Sequence, residues 1–375
     1  MPHVSPVRTR SDWKAFLHLP WRIYRDLPNW VPPILSAQKR ELDPKHGPFF
    51  RDGSTAEYFL ARRDNEVVGR IAAIRNERHL ARQRDRVGFF GFFESIDDVS
   101  VASALLSRAE EWLSSQGLAA SRGPASFTIN DPAGVTIRGA EIRPTLLTGY
   151  TPGYYAGLLE ACGYHKIRDL LGYHLSFDDL EQSLFRYESA FTETAASGVR
   201  IRHLDRAHIE RDAEIIARVF SESWDGNWGS FPIHGEELVL AAKELGPYFD
   251  ERLGYIATVY DEPAGVFLTV PDPWEIIQKL NGRIGPTGWI RLAAGRNRVE
   301  RCRLIILGAL PRFRHFPIQP LMLREIQKRR DDYPAMRTIE LFWILEDNRV
   351  TCELAGAVGG KHVRTQRIYE KFLDP

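Results

Sequence analysis

Cysteine is scarce. Three residues, Cys162, Cys302 and Cys352, are scattered through 375, and none forms a CxxC pair. That spacing excludes a disulfide framework, carries no strong zinc signature, and fits a reducing compartment. Net charge is missing too: Lys+Arg 50 against Asp+Glu 49 leaves +1, so no global field draws nucleic acid. No apolar run approaches a membrane span, and the opening MPHVSPVRTR lacks the apolar core of a signal peptide. Together these absences predict a soluble, cytoplasmic protein with no nucleic-acid partner and no bound metal.

What remains is ordinary globular material, 43% hydrophobic and 26% charged, in a chain long enough for two cores. Val4 to Pro48 carries Trp13, Trp21 and Trp30 among prolines, too aromatic for disorder, and reads as an irregular packed arm. Tyr58–Arg62 and Val67–Ile74 are strand-like runs joined by a hairpin signal, Arg63-Asp-Asn-Glu66. Val87–Glu94 is a third apolar run. A helix follows it, capped by Asp97 or Asp98, with Ala102, Leu105, Leu106, Ala109 and Leu113 on one face and Gly117 at its end. A short helix over Tyr154–Ala161 leads to a strand over Leu171–Phe177. The polar stretch 177–199 reads as a helical linker. After it the plan repeats: helices over Asp205–Phe220 and Glu236–Leu245, a hairpin at Asp261-Glu-Pro, then strand, loop, helix, strand, helix and strand to Phe372. The prediction is a tandem repeat of one mixed-sheet α/β fold, residues 1–176 and 200–375 around that linker.

Arg301 to Arg330 holds the most specific pattern. Arg303–Leu310 is a buried strand, Pro311 ends it, and Leu321, Met322, Leu323 and Ile326 recur at helical spacing after Pro320. A loop feeding a helix N-terminus is a seat for phosphate oxygens. Pro311, Arg314, Ile318, Met322 and Leu323 resemble, without gaps, the acyl-CoA loop of the GNAT acyltransferase superfamily. His315, Pro317 and Gln319 stand where that loop usually has glycines, and Pro317 removes one N–H donor. Leu42-Asp-Pro, Pro48-Phe-Phe50, Gly69-Arg-Ile-Ala-Ala-Ile74, Gly88-Phe-Phe-Gly-Phe-Phe-Glu94, Asn130-Asp131, Ser223-Trp224, Leu345-Glu-Asp-Asn348 and Arg367-Ile-Tyr-Glu-Lys371 extend the likeness over nearly the whole chain. They resemble a bacterial family of tandem GNAT-like proteins, one branch of which comprises bacterial ceramide synthases. The resemblance implies an acyl-CoA-dependent N-acyltransferase acting on a sphingoid-base amine, with acyl-CoA as co-substrate and no tightly bound cofactor.

Such a reaction needs donors that polarise the thioester carbonyl, a base for the ammonium proton and an acid for the thiolate. The tyrosine that GNAT enzymes commonly use as that acid is replaced by Leu159 and Ala355 in the two halves. Glu94 closes an apolar run of four phenylalanines, which would raise its pKa toward that of a useful base; equally, it would cap a helix or pair with an arginine. Asn130 and Asp131 lie in a Gly/Pro-bounded loop, as reaction-centre groups or as a turn device. Tyr150, Tyr154 and Tyr155 are expected to converge on the same strand end, with His79 near the acceptor as a base or as a structural histidine. Leu310, Arg312, Arg314, His315, Phe316, Ile318 and Asn348 are the expected donor-binding set, Asn348 also reading as a helix cap. Trp224 lines a pocket or plugs a core. Gln278–Arg303 has six arginines and one glutamate around Trp289 and Ile290. It suits peripheral contact of 282–303 with anionic lipid, or a solvated surface whose arginine stems cover the core. The expectation is a donor held by the second repeat, as acyl-CoA or acyl carrier protein, and a lipid amine meeting it between the repeats. A small-amine acetyltransferase and an inactive binding protein are the rivals.

Overall fold

The computed structural model describes residues 2–187, 198–225, 227–230 and 233–373. A short edge strand, β1 (His3–Pro6), pairs with β2 (Thr55–Arg63), which turns back into β3 (Glu66–Arg75). The turn is the one expected: Asp64 and Asn65 take φ of 49° and 68°, a region their short polar side chains tolerate. β4 (Val87–Ser95) is buried throughout and runs antiparallel to β3. Asp98, not Asp97, caps the helix Val99–Ser115, accepting from the N–H groups of Ser100 and Val101 at 2.8 and 3.3 Å. The apolar face read from the sequence is the buried one. β5 (Ala120–Gly123), β6 (Val135–Arg138) and β7 (His165–Ser176) follow. The Trp/Pro-rich arm is more regular than expected. Thr9 and Asp12 form a capping box for the helix Arg10–His18, and Leu35–Glu41 is a second helix.

The second half supplies β8 (Val199–His203), β9 (Gly254–Val259), β10 (Glu262–Pro271), β11 (Arg301–Ala309), β12 (Thr338–Leu345) and β13 (Lys361–Phe372). The helix Ile209–Ser223 lies against β10 and β11, and the helix Ile318–Gln327 follows β11. The stretch 278–303, read as surface, carries the end of the helix Trp274–Leu280 and the whole helix Pro286–Gly295. No helix of the described residues is long and apolar enough to cross a membrane.

The chain forms two compact units that do not split simply at a linker. One takes residues through Leu171, Ile277–Ile284 and Arg364 onward; the other takes Gly172–Ile276 and Gly285–Val363. In the first the strand order is β1-β2-β3-β4-β5-β13-β7, with β6 also on β13. The chain's last strand therefore completes the sheet of its first unit. In the second the order is β12-β11-β10-β9-β8. The start of the expected linker is a helix, Phe177–Leu184, whose Phe177, Leu180 and Leu184 belong to the second unit's core; residues 188–197 lie outside the described residues.

In the first unit β4 and β5 pair in parallel, in the second β11 and β12 do, and each of these pairs comes apart. β4 and β5 are in register only from Val87 to Phe89, and β11 and β12 only from Arg301 to Leu304. Beyond those points the first strand of each pair carries a bulge, where the β3–β4 and β10–β11 registers shift. In the first unit the opening is filled. A Cβ on Gly91 would stand 1.9 Å from the Ala125 carbonyl oxygen, and Phe127 is packed among Phe49, Phe50 and Phe92.

Candidate active site

The β3–β4 register sets Arg70 opposite Glu94. Both are buried, at 3% and 8% exposure. Arg70 donates to Glu94 Oε1 at 3.4 Å and to the Phe16 carbonyl at 2.6 Å, with its guanidinium 4.8 Å from the Phe16 ring. The Tyr155 hydroxyl donates to Glu94 Oε2 at 2.6 Å and accepts from the Ser95 N–H at 3.1 Å. Tyr154 donates to the Ser95 carbonyl at 2.7 Å. The Tyr24 hydroxyl, next to Glu94, donates to the Tyr150 carbonyl at 3.1 Å. The Tyr150 hydroxyl donates to the Ala140 carbonyl at 2.9 Å.

Electrostatics follow from that burial. Desolvation pushes the Glu94 carboxyl up, and Arg70 with the tyrosine hydroxyls draws it back only in part. Burial holds Tyr24 and Tyr155 well above the ordinary phenol value, so both remain hydroxyl donors. The result is a buried carboxyl whose proton affinity is raised by burial, held by the Tyr155 hydroxyl and the Arg70 guanidinium with the Tyr24 hydroxyl beside it.

The other expected residues are distributed as follows. Asp131 accepts from the Thr128 hydroxyl and N–H at 2.7 and 3.2 Å, and the Asn130 N–H donates to the same hydroxyl at 3.1 Å. This is a self-contained turn in which burial pushes the Asp131 carboxyl up to about 6. His79 is buried on the helix Glu77–Gln83, 2.8 Å from Asp85 and edge-on to Phe89; burial holds its imidazole below the ordinary value.

In the second unit the chain after β11 winds into a tight turn at Pro311–Phe313 before the helix Ile318–Gln327. The expectation of free amides there is met only in part: among the described residues the N–H groups of Arg312, His315 and Gln319 have no backbone acceptor, while the others are used. The N–H groups of Phe313, Arg314, Phe316, Ile318 and Leu321 donate to the carbonyls of Leu310, Pro311, Phe313, Phe316 and Pro317, and Pro317 and Pro320 have none to give. Arg312 is held by Glu262 and, at 3.5 Å, by Glu222. Arg314 donates to the Ser223 carbonyl at 3.3 Å with an exposed guanidinium, and His315 lies 4.3 Å from the Phe316 ring. Leu310 and Ile318 are buried. Trp224 stacks on Phe220 at 4.8 Å and meets Trp343 edge-on at 5.2 Å, packed on the core. Asn348 accepts from the Thr351 N–H at 3.2 Å as the cap of Arg349–Ala357. Trp289 is 49% exposed on Pro286–Gly295.

Comparison with known proteins decides the family. A protein named bacterial ceramide synthase, from Caulobacter vibrioides (strain NA1000 / CB15N), is 30% identical over 376 residues, covering 99% of this chain and 97% of that one. Protein YghO from Escherichia coli (strain K12) is 30% identical over 375 residues, covering 98% and 95%. The chain belongs to this tandem GNAT-like family. No family model matches it. Among solved structures, a tandem GNAT protein from the clavulanic acid biosynthesis pathway superposes with a TM-score of 0.58 at 12% identity, over 100% of this chain and 99% of that one, a likeness of fold. The mixed α/β tandem fold expected from the sequence is the fold of this GNAT-like protein.

Two members of the Glu94 cluster are absent from the sequence reading. Arg70 had a signal, as the one charge inside the apolar run Val67–Ile74. Tyr24 had none, since the arm that carries it meets Glu94 only through the fold.

Proposed function

We propose that this tandem GNAT-like protein transfers a fatty acyl group from a thioester, carried by coenzyme A or acyl carrier protein, to the amine of a long-chain sphingoid base. The observation that carries the reading is the full-length likeness, at 30% identity, to a protein named bacterial ceramide synthase. In this reading Glu94 takes one proton from the substrate ammonium, the freed amine attacks the thioester carbon, the C–N bond forms and the C–S bond breaks. The second amine proton goes to the departing thiolate. Tyr155 and Arg70 hold the carboxylate, and Tyr24, Tyr150 and Tyr154 border it. The donor lies along the open end of β11 and β12, with Arg314, His315 and Phe316 beside its phosphates. Guanidinium and side-chain contacts supplement the few backbone amides this loop leaves open, those of Arg312, His315 and Gln319. Exposed Trp289, Ile290 and Arg291 on Pro286–Gly295 meet the membrane from which a lipid amine is taken.

One observation favours a second reading, a protein that binds without turnover: the donor loop spends the amides of Phe313, Arg314, Phe316, Ile318 and Leu321 on its own carbonyls. Purified protein offered acetyl and palmitoyl thioesters against sphinganine and a small polar amine separates the readings by mass spectrometry. Long-chain amide from the palmitoyl–sphinganine pair supports the proposal. Product only from acetyl donor and small amine, or none from any pair, contradicts it.

A further inference from the structure

The arm of the first unit holds a second, chemically distinct feature. The helix Arg10–His18 is anchored on one side by Phe16, buried against Tyr58 and bound through its carbonyl to Arg70. Its adjoining face, with the end of the helix Leu35–Glu41, borders a half-open pocket of about 450 Å3 lined by Arg10, Trp13, Lys14, Leu17, His18, Lys39, Leu42 and Asp43. The floor is apolar. Leu17 and Leu42 are buried, and half-buried Trp13 is fixed edge-on to Tyr58 at 4.9 Å.

The rim is cationic. Arg10, Lys14 and Lys39 are exposed, and among the described residues none has an acidic side chain at ion-pair distance. The one acid in the lining, Asp43, already faces His46 at 2.7 Å and accepts from the Lys45 N–H at 2.9 Å. The positive charges converge: Lys14, Lys39 and Arg283, after burial, all hold the His18 imidazole below its ordinary value. A cluster of like charges repels itself, so the site is complementary to an anion. Three permanent cations exceed what a single carboxylate needs, whereas a phosphate monoester carries close to two charges and three acceptor oxygens at neutral pH. The same field repels a long-chain ammonium, so the acceptor amine is not this pocket's ligand.

We propose that this pocket binds a phosphate monoester borne on an apolar or aromatic body, the body on Trp13, Leu17 and Leu42 and the phosphate on Arg10, Lys14 and Lys39. A nucleotide and a lysophospholipid share that chemistry. The site stands independently of the acyl-transfer reading, because nothing in its argument uses turnover.

Calorimetry on the full chain tests it with two matched pairs, adenosine 3′,5′-bisphosphate against adenosine and monomeric lauroyl lysophosphatidate against monolaurin. The phosphate-bearing member of at least one pair is expected to bind about tenfold or more tightly than its partner, weakening as salt rises. Preference within the adenosine pair assigns a nucleotide, and within the lauroyl pair a lipid phosphate. The Lys14→Ala/Lys39→Ala variant, altered only at exposed positions, is expected to lose about tenfold, while Lys328→Ala, a surface cation of the second unit, binds as wild type does. On the unmodified protein, one histidine resonance, assigned with His18→Gln, should titrate at higher pH when the preferred probe is bound. Equal binding of both members of both pairs, undiminished binding in the double variant, or an unmoved His18 titration would each overturn the proposal.

Discussion

At the residue scale the proposed chemistry rests on Glu94 and the groups that hold it. A buried ion pair broken on one side leaves an uncompensated charge, so Arg70→Met should destabilise the protein by roughly 3–5 kcal/mol. Adding Glu94→Gln should recover most of that in urea unfolding. Glu94→Gln alone leaves the buried Arg70 guanidinium without its counter-charge, so it too should lower the urea midpoint, and the folded variant should form amide about 10²–10⁴-fold more slowly. Because burial raises the Glu94 carboxyl, the base form is lost at a higher pH than in an exposed glutamate. The kcat/KM profile should therefore rise with pH through a limb that the glutamine variant lacks. Asp131 gives a stability test with a definite sign. Its carboxyl moves from 3.8 up to about 6 on folding, so its contribution is fully present below 3.8 and lost as pH rises through 6. Asp131→Asn should raise the Tm at pH 7.5 and have a shrinking effect toward pH 4, on the order of 1 kcal/mol after solvent screening. Glu94 was legible because a carboxylate at the end of GFFGFFE is unusual. Its pairing was not, because β3–β4 register across a bulge is set by tertiary contacts and not by local pattern.

At the scale of elements, capping and turn chemistry were readable and tight backbone approaches were not. Asp98→Ala should cost the helix Val99–Ser115 about 1 kcal/mol, read as a lower urea midpoint at unchanged slope. Two glycines make a sharper contrast. Gly91→Ala meets the Ala125 carbonyl at 1.9 Å and should destabilise strongly by forcing the 125–127 loop out of the strand opening. Gly157→Ala, inside the helix Tyr155–Ala161 with nothing within 4 Å, should stabilise by about 0.5–1 kcal/mol. The same physics explains the missed helix Pro286–Gly295. Gly282, Gly285, Gly288 and Gly295 read as loop punctuation, yet Pro286 is a favourable first helical residue and Leu292 buries one side. At the donor loop the sequence did show the loss of glycines; that the backbone would then satisfy itself in part needed the turn geometry.

At the scale of the whole molecule, repeat order was legible but strand exchange was not. Periodicity says that a strand exists, not which sheet takes it. β13 pairs with β5 and β6, and its Arg364, Ile368 and Tyr369 are buried in the first unit, Arg364 donating to the Gly139 and Ile142 carbonyls. A chain ending at Val363 should therefore lose hydrogen-exchange protection in β4 and β5 while β9–β11 keep theirs; the opposite pattern would contradict the exchange. The central claim remains the chemistry. Its most direct test is a time course with carbon-13-labelled palmitoyl-CoA and sphinganine, run on wild type and Glu94→Gln and read by mass spectrometry. The account predicts labelled N-palmitoyl-sphinganine accumulating with wild type and far more slowly with the variant. No labelled amide from wild type, with either coenzyme A or acyl carrier protein as carrier, or equal rates in the two proteins, would contradict it.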